Sequence, residues 1–104
     1  MKIKRCSGIL SKFKGLMFTF PLKKGWGVLL ENSSESIYNS SIHMFFVFYP
    51  IDVVWLDSGF KVVDVKRSVK PFTPIVFPKR KAKYVLELWK DGARGIREGD
   101  LMDL

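Results

Sequence analysis

A chain of 104 residues, 47% hydrophobic and 14% aromatic, can fold around one hydrophobic core but not two, which excludes disorder and a second domain. Its formal charge of +8 suits an acidic partner such as nucleic acid or an anionic surface, although charge governs solubility and encounter rather than fold. One cysteine, Cys6, and one histidine, His43, exclude an intrachain disulfide and a closed Cys/His zinc site, so no metal or cofactor is expected.

The opening MKIKRCSGIL is basic and lacks the apolar core of a secretory signal, which points to a cytoplasmic protein. Cys6, Ile9, Leu10, Phe13, Leu16 and Met17 then recur at helical spacing and predict one short amphipathic helix, with Gly15 as a left-handed terminator. Lys23-Lys24-Gly25 reads as a turn, Gly27 to Glu31 as a short strand and the following ENSSES as a polar loop.

From Ser41 to Tyr49 the chain is dense in β-branched and aromatic residues on both alternating faces, the pattern of a central strand. Pro50 cannot donate to a ladder and marks its boundary. His43, Pro50 and Asp52 interrupt this apolar run before it reaches the about 18 residues of a membrane span, so no membrane is expected as partner. A second strand runs from Ile51 to Asp57, Asp57-Ser58-Gly59 forms a hairpin with Gly59 suited to positive φ, and Phe60 to Lys66 returns. Pro71, Pro74 and Pro78 allow only short strands. Lys83 to Trp89 alternates Tyr84, Leu86 and Leu88 against Val85, Glu87 and Trp89, a strand closed by Asp91-Gly92. The chain is read as one domain, residues 1–104, mainly β with one short N-terminal helix.

Four landmarks stand in order: Lys14-Gly15-Leu16-Met17-Phe18, Pro50-Ile51-Asp52-Val53 continuing to Leu56-Asp57, Tyr84-Val85-Leu86-Glu87, and Ile96 followed by Gly99-Asp100. Together they resemble the bacterial and archaeal Domain of Unknown Function 192, over roughly Phe13 to Met102. The resemblance implies a compact antiparallel β sandwich or barrel of jelly-roll type with a short helix, and no established activity. Two departures stand out. The family carries a strand ahead of its helix, whereas only Met1 to Arg5 precede the helix here, so that edge strand is expected to be missing or vestigial. Its loss would leave an edge for a partner or a second copy, giving a monomer or an edge-paired dimer. The family's polar Met-Lys-Asn-Thr run is also replaced by Met44-Phe45-Phe46-Val47.

Asp52 is an acid inside an apolar segment, sharing a face with Val54 and Leu56. Its carboxylate needs donors, and the structural reading gives it backbone N–H groups or a basic side chain. The functional alternative turns it toward a ligand, together with His43 and Trp55. His43 alone on a strand reads as a packed or edge residue, Cys6 as an inert buried thiol and Asp57 as a turn residue. Trp26, Trp55 and Trp89 read as core before they read as a stacking platform.

Lys66-Arg67-Lys70 and Lys79-Arg80-Lys81-Lys83 bracket a proline-rich segment with Phe72 and Phe77, the mixture of cations and rings that single-stranded nucleic acid uses. No nucleic-acid motif accompanies them, so a solvated face is the first reading. No nucleophile elbow, phosphate loop or metal spacing occurs. The leading expectation is therefore a non-catalytic β domain binding a small ligand or protein near the Pro50-Asp52 turn. A nucleic-acid module through Lys79, Arg80, Lys81 and Lys83 comes second, and an enzyme using carboxylates such as Asp52 and Asp64 third.

Overall fold

In a computed structural model, residues 2–6, 24–37, 49–73 and 75–104 are described. They form one mainly β sheet of five strands: β1 (Lys2–Cys6), β2 (Trp26–Ser36), β3 (Ile51–Leu56), β4 (Val62–Val69) and β5 (Ala82–Trp89). The spatial order is β1-β2-β5-β3-β4. β1 runs parallel to β2, and every other pairing is antiparallel. The predicted helix after Cys6 and the predicted strand through His43 up to residue 48 lie outside the described residues.

The edge strand expected to be missing is present. Lys2–Cys6 pairs with Trp26 to Leu30, and Cys6 belongs to this strand rather than to a helical stripe. Five residues suffice because Ile3 packs against the group of Leu29, Leu86 and Leu88. Gly27 permits the approach: a Cβ there would lie 2.7 Å from Leu88 Cδ2 and 3.1 Å from Ile3 Cδ1.

The polar ENSSES is strand, not loop. β2 continues to Ser36, with a register shift between Glu31↔Tyr84 and Ser36↔Ala82. Asn32 is buried at this irregularity, and its side-chain amide donates to the Ala82 carbonyl at 3.3 Å. A side chain thus makes a backbone-like bond where the ladder is disturbed.

β3 lies between β5 and β4, and all six of its residues are buried. Its alternation sends Ile51, Val53 and Trp55 to one apolar face and Val54 and Leu56 to the other. The first face also carries Val28, Leu30 and Val85, and the second Leu29, Leu86 and Leu88. The C-terminal segment covers part of the second face with Ile96, Met102 and Leu104. It also bonds to the start of β4, through Val62 N–H to the Asp100 carbonyl at 2.8 Å and Met102 N–H to the Phe60 carbonyl at 2.9 Å.

The hairpin between β3 and β4 forms where expected, but positive φ falls on Phe60 (63°) rather than on Gly59. Asp57 Oδ1 accepts the N–H groups of Gly59 and Lys61, each at 2.9 Å. The Phe60 ring stacks on Tyr84 with centroids 4.5 Å apart and planes at 16°, a contact that offsets the left-handed backbone. β4 and β5 are both antiparallel to β3 and hence parallel to each other. Their connection, residues 70–81, must cross a face of the sheet. It crosses the first face, where Val76 packs on the core.

After β5, Asp91 takes φ 72° and the Gly92 N–H bonds to the Trp89 carbonyl at 2.8 Å. A Cβ on Gly92 would meet two ring carbons of Trp89 at 2.8 Å and Leu88 Cβ at 2.9 Å. Gly92→Ala should therefore cost about 1–3 kcal/mol by overpacking. A urea midpoint equal to wild type would contradict this packing.

Candidate functional site

Strands dry on both faces accept a carboxylate only if donors, a cation or a proton accompany it. Three carboxyl groups test that rule: Asp52 is 0% exposed, Asp64 5% and Glu87 5%.

Asp52 sits opposite a bulge, since the β3–β4 register shifts between Ile51↔Val69 and Val53↔Lys66. The bulge turns Ser68 to φ 52°, and its N–H reaches Asp52 Oδ1 at 2.9 Å. Asp52 Oδ2 accepts the Ala93 N–H at 3.0 Å. The carboxylate therefore joins β3 to the edge strand and to the turn after β5. Arg67 reinforces the same junction, donating from Nη2 to the Ala93 carbonyl at 3.1 Å and to the Ile96 carbonyl. Asp64 acts similarly. Its Oδ1 accepts the Val65 N–H at 2.8 Å, and its Oδ2 accepts the Lys79 N–H at 3.0 Å, tying the crossover to β4.

Glu87 is different. It lies in register with Val28 on one side and Val53 on the other, and opposed residues share a face, so its carboxyl has two buried valines as cross-strand neighbours. Among the described residues it has no hydrogen-bond or ion-pair partner. Burial alone raises its pKa from 4.5 to about 7. Lys66 stands in register with Val53, one strand further, but its Nζ donates to the Phe77 carbonyl at 3.1 Å.

Sequence reasoning passed over Glu87 because an alternating acid suggests the wet face of a strand. The available signal was the flanking Val85-Leu86-Glu87-Leu88: a strand apolar on both sides of the acid has no wet face.

The other candidates are dispersed. Asp52 belongs to the second face by its alternation with Val54 and Leu56, and Trp55 to the first, where it is 0% exposed. His43 lies outside the described residues. Trp26 is 42% exposed and Trp89 half-buried, so the three tryptophans form no common exposed platform. Of the basic residues, Lys79 pairs with Glu98 and Lys83 with Glu31 at 3.7 Å, while Arg80 and Lys81 are exposed. Among the described residues no cluster of three or more His, Cys, Asp or Glu could hold a metal ion. No helix among them is long and apolar enough to cross a membrane.

The family model for Domain of Unknown Function 192, described as "Uncharacterized ACR", matches residues 2–104. The chain belongs to this family. Its relatives include the UPF0127 protein TK1120 of Thermococcus kodakarensis, 36% identical over 97% of this chain and 63% of the relative. Another, the UPF0127 protein PH1112 of Pyrococcus horikoshii, is 40% identical over 93% and 76%. The chain thus spans 63% of one relative's length and 76% of the other's. The fold is shared with a Sinorhizobium meliloti crystal structure described as a "putative transcription regulator", at TM-score 0.89 and 18% identity over 97% of this chain and 79% of that one. A protein of unknown function from Novosphingobium aromaticivorans superposes at TM-score 0.86 with 19% identity, over 98% and 74%. At these identities the likeness to the two solved structures is one of fold.

Two expectations follow. Asp52→Ala leaves the part-buried N–H of Ser68 and the buried N–H of Ala93 unpaired and should lower stability by about 1–3 kcal/mol, against less for the more exposed Asp57→Ala. Equal urea midpoints for the two variants would contradict this. For Glu87 the folded state binds the proton more tightly than the unfolded chain, so stability falls as pH rises from 4.5 to about 7 and stays reduced above. The loss is on the order of 3 kcal/mol, at about 1.4 kcal/mol per tenfold change in proton affinity. Glu87→Gln should therefore be more stable than wild type at pH 8 and lose that advantage near pH 4.5. A difference independent of pH would contradict the assignment.

Proposed function

We propose that this domain is a small non-catalytic binding module whose ligand or partner is anchored by Glu87 on the first face of the sheet. One observation carries the reading: a buried carboxyl, 5% exposed, with no partner among the described residues, on a strand whose other buried residues are apolar. Such a group lowers stability, and groups retained at that cost are candidates for function. Asp52 is a weaker anchor because each of its oxygens already accepts a backbone N–H. The chemistry that suits Glu87 is a cation or a strong N–H donor, such as an amine, amidine or guanidine. Its positive charge would draw the carboxyl back to the ionised form and strengthen as the site dries.

A carboxyl titrating near neutrality also suits general acid–base work, which is the specific observation favouring a second, enzymatic reading through Glu87. The carboxylates that sequence alone offered for catalysis, Asp52 and Asp64, are occupied by backbone amides.

The test is a thermal-shift screen of amines, amidines and guanidines at pH 8, run on wild type and Glu87→Gln in parallel, since a native-state binder raises the melting temperature. The expected result is a rise in wild type that Glu87→Gln abolishes. Equal rises in both proteins place the site elsewhere, and no rise with any of these cations contradicts the reading.

A further inference from the structure

An open pocket of about 380 Å³ lies between β4 and the C-terminal segment, lined by Val65, Arg67, Ile96, Arg97 and Glu98. Small-molecule sites occupy about 300–1,000 Å³, so the space suits a small ligand. Val65 and Ile96 pack on the second-face core, whereas Glu87 belongs to the first face.

Both arginines are held in place. Arg67 Nη2 donates to the Ala93 carbonyl at 3.1 Å and to the Ile96 carbonyl. These bonds orient the guanidinium and leave the donors of Nη1 and Nε unused among the described residues. Arg97 stands on a turn that its backbone fixes. Its N–H donates to Asp100 Oδ2 at 2.9 Å, its carbonyl accepts the Asp100 N–H at 3.1 Å, and the next-but-one Gly99 N–H reaches the Val62 carbonyl at 2.9 Å. The Arg97 guanidinium itself has no hydrogen bond or ion pair among the described residues. The carboxylate that lines the pocket, Glu98, is neutralised by Lys79.

We infer that this pocket is a binding site for a small organic anion, whose carboxylate or phosphate is held by Arg97 and Arg67 while its apolar body rests on Val65 and Ile96. Arg97 offers the forked edge that matches either anionic group. Arg67 adds single bonds rather than a fork, because Nη2 belongs to both forked edges of a guanidinium and is already committed to the carbonyls. Like charges lining one pocket repel, and an anion between them turns that repulsion into attraction. The apolar pair beside the arginines distinguishes the site from a bare surface cation and asks for carbon next to the charge. This site does not rest on the Glu87 reading, which concerns a cation on the opposite face.

The experiment is an NMR titration of the isotope-labelled full chain with inorganic phosphate, phenyl phosphate and benzoate, at constant ionic strength set by chloride. The expected result is saturable shifts of the amide signals of Val65, Arg67, Ile96, Arg97 and Glu98. Phenyl phosphate should bind about 10-fold more tightly than inorganic phosphate, the gain from roughly 50–60 Å² of buried ring. Phenyl phosphate above benzoate assigns a phosphate ligand and the reverse order a carboxylate; either supports the inference. Arg97→Gln changes only an exposed side chain and should weaken binding by about 10- to 100-fold. Arg97→Lys keeps the charge but not the fork and should recover only part of that loss. Glu87→Gln should bind these anions like wild type, which separates failure here from failure of the cation site. No saturable shift at these amides with any of the three anions overturns the inference, as does an affinity that Arg97→Gln leaves unchanged. Equal affinity for phenyl phosphate and inorganic phosphate also overturns it, reducing the site to a bare anion contact.

Discussion

The structure depends on the dryness of its middle strands. β3 is buried at every position and lies against β5, whose residues Val85 to Leu88 are also buried. A carboxyl buried in or beside this pair cannot rely on water, so it must find donors in the backbone or hold its proton. Asp52 and Asp64 satisfy the requirement by bonding across strands to Ser68, Ala93 and Lys79. These bonds fasten peripheral segments to the core sheet. The bulge of edge strand β4, the turn after β5 and the crossover are each held by an acid that the apolar pattern would exclude. Breaking one such bond leaves a buried donor exposed to no partner, which costs more than the bond itself contributes.

Glu87 follows the other route. With valines opposite it on both neighbouring strands, it is pushed toward the protonated form, and the fold is less stable at neutral and alkaline pH than the same sheet with a neutral side chain would be. Position matters as much as chemistry here. Asp52 is opposed by Leu88, one step along from the Val53↔Glu87 pair, and that single step changes the face. On the second face a bulge and a turn bring amides to Asp52; on the first, none from the described residues reaches Glu87. Two acids in adjacent register positions therefore have different surroundings, one held by backbone amides and one without a partner among the described residues.

Much of the sheet is legible in the sequence where alternation is strong. Ile51 to Asp57, Phe60 to Lys66 and Lys83 to Trp89 read as strands and fall on β3 (Ile51–Leu56), β4 (Val62–Val69) and β5 (Ala82–Trp89), and the four landmarks lead to the right family. What the sequence hides has physical causes. β1 is short and basic, and it exists because β2 offers it a parallel ladder, a non-local condition that no window of five residues reveals. The polar second half of β2 reads as loop because Glu31 to Ser36 lack apolar alternation, yet Asn32 is buried and bonded to Ala82. Positive φ at Phe60 instead of Gly59 depends on stacking against Tyr84, twenty-four residues away in β5. Glu87 was visible as a letter but not as a buried group, because burial of both faces of β5 is a property of strand order.

The central claim is that Glu87 is a desolvated carboxyl with no partner among the described residues. It is tested most directly by following the Glu87 side-chain carboxyl carbon by NMR as pH is raised through the neutral range. The account predicts a midpoint at about 7, against 4.5 for an ordinary glutamate. A midpoint at or below 4.5 would mean that donors or a cation already stabilise the ionised group, which would contradict the account.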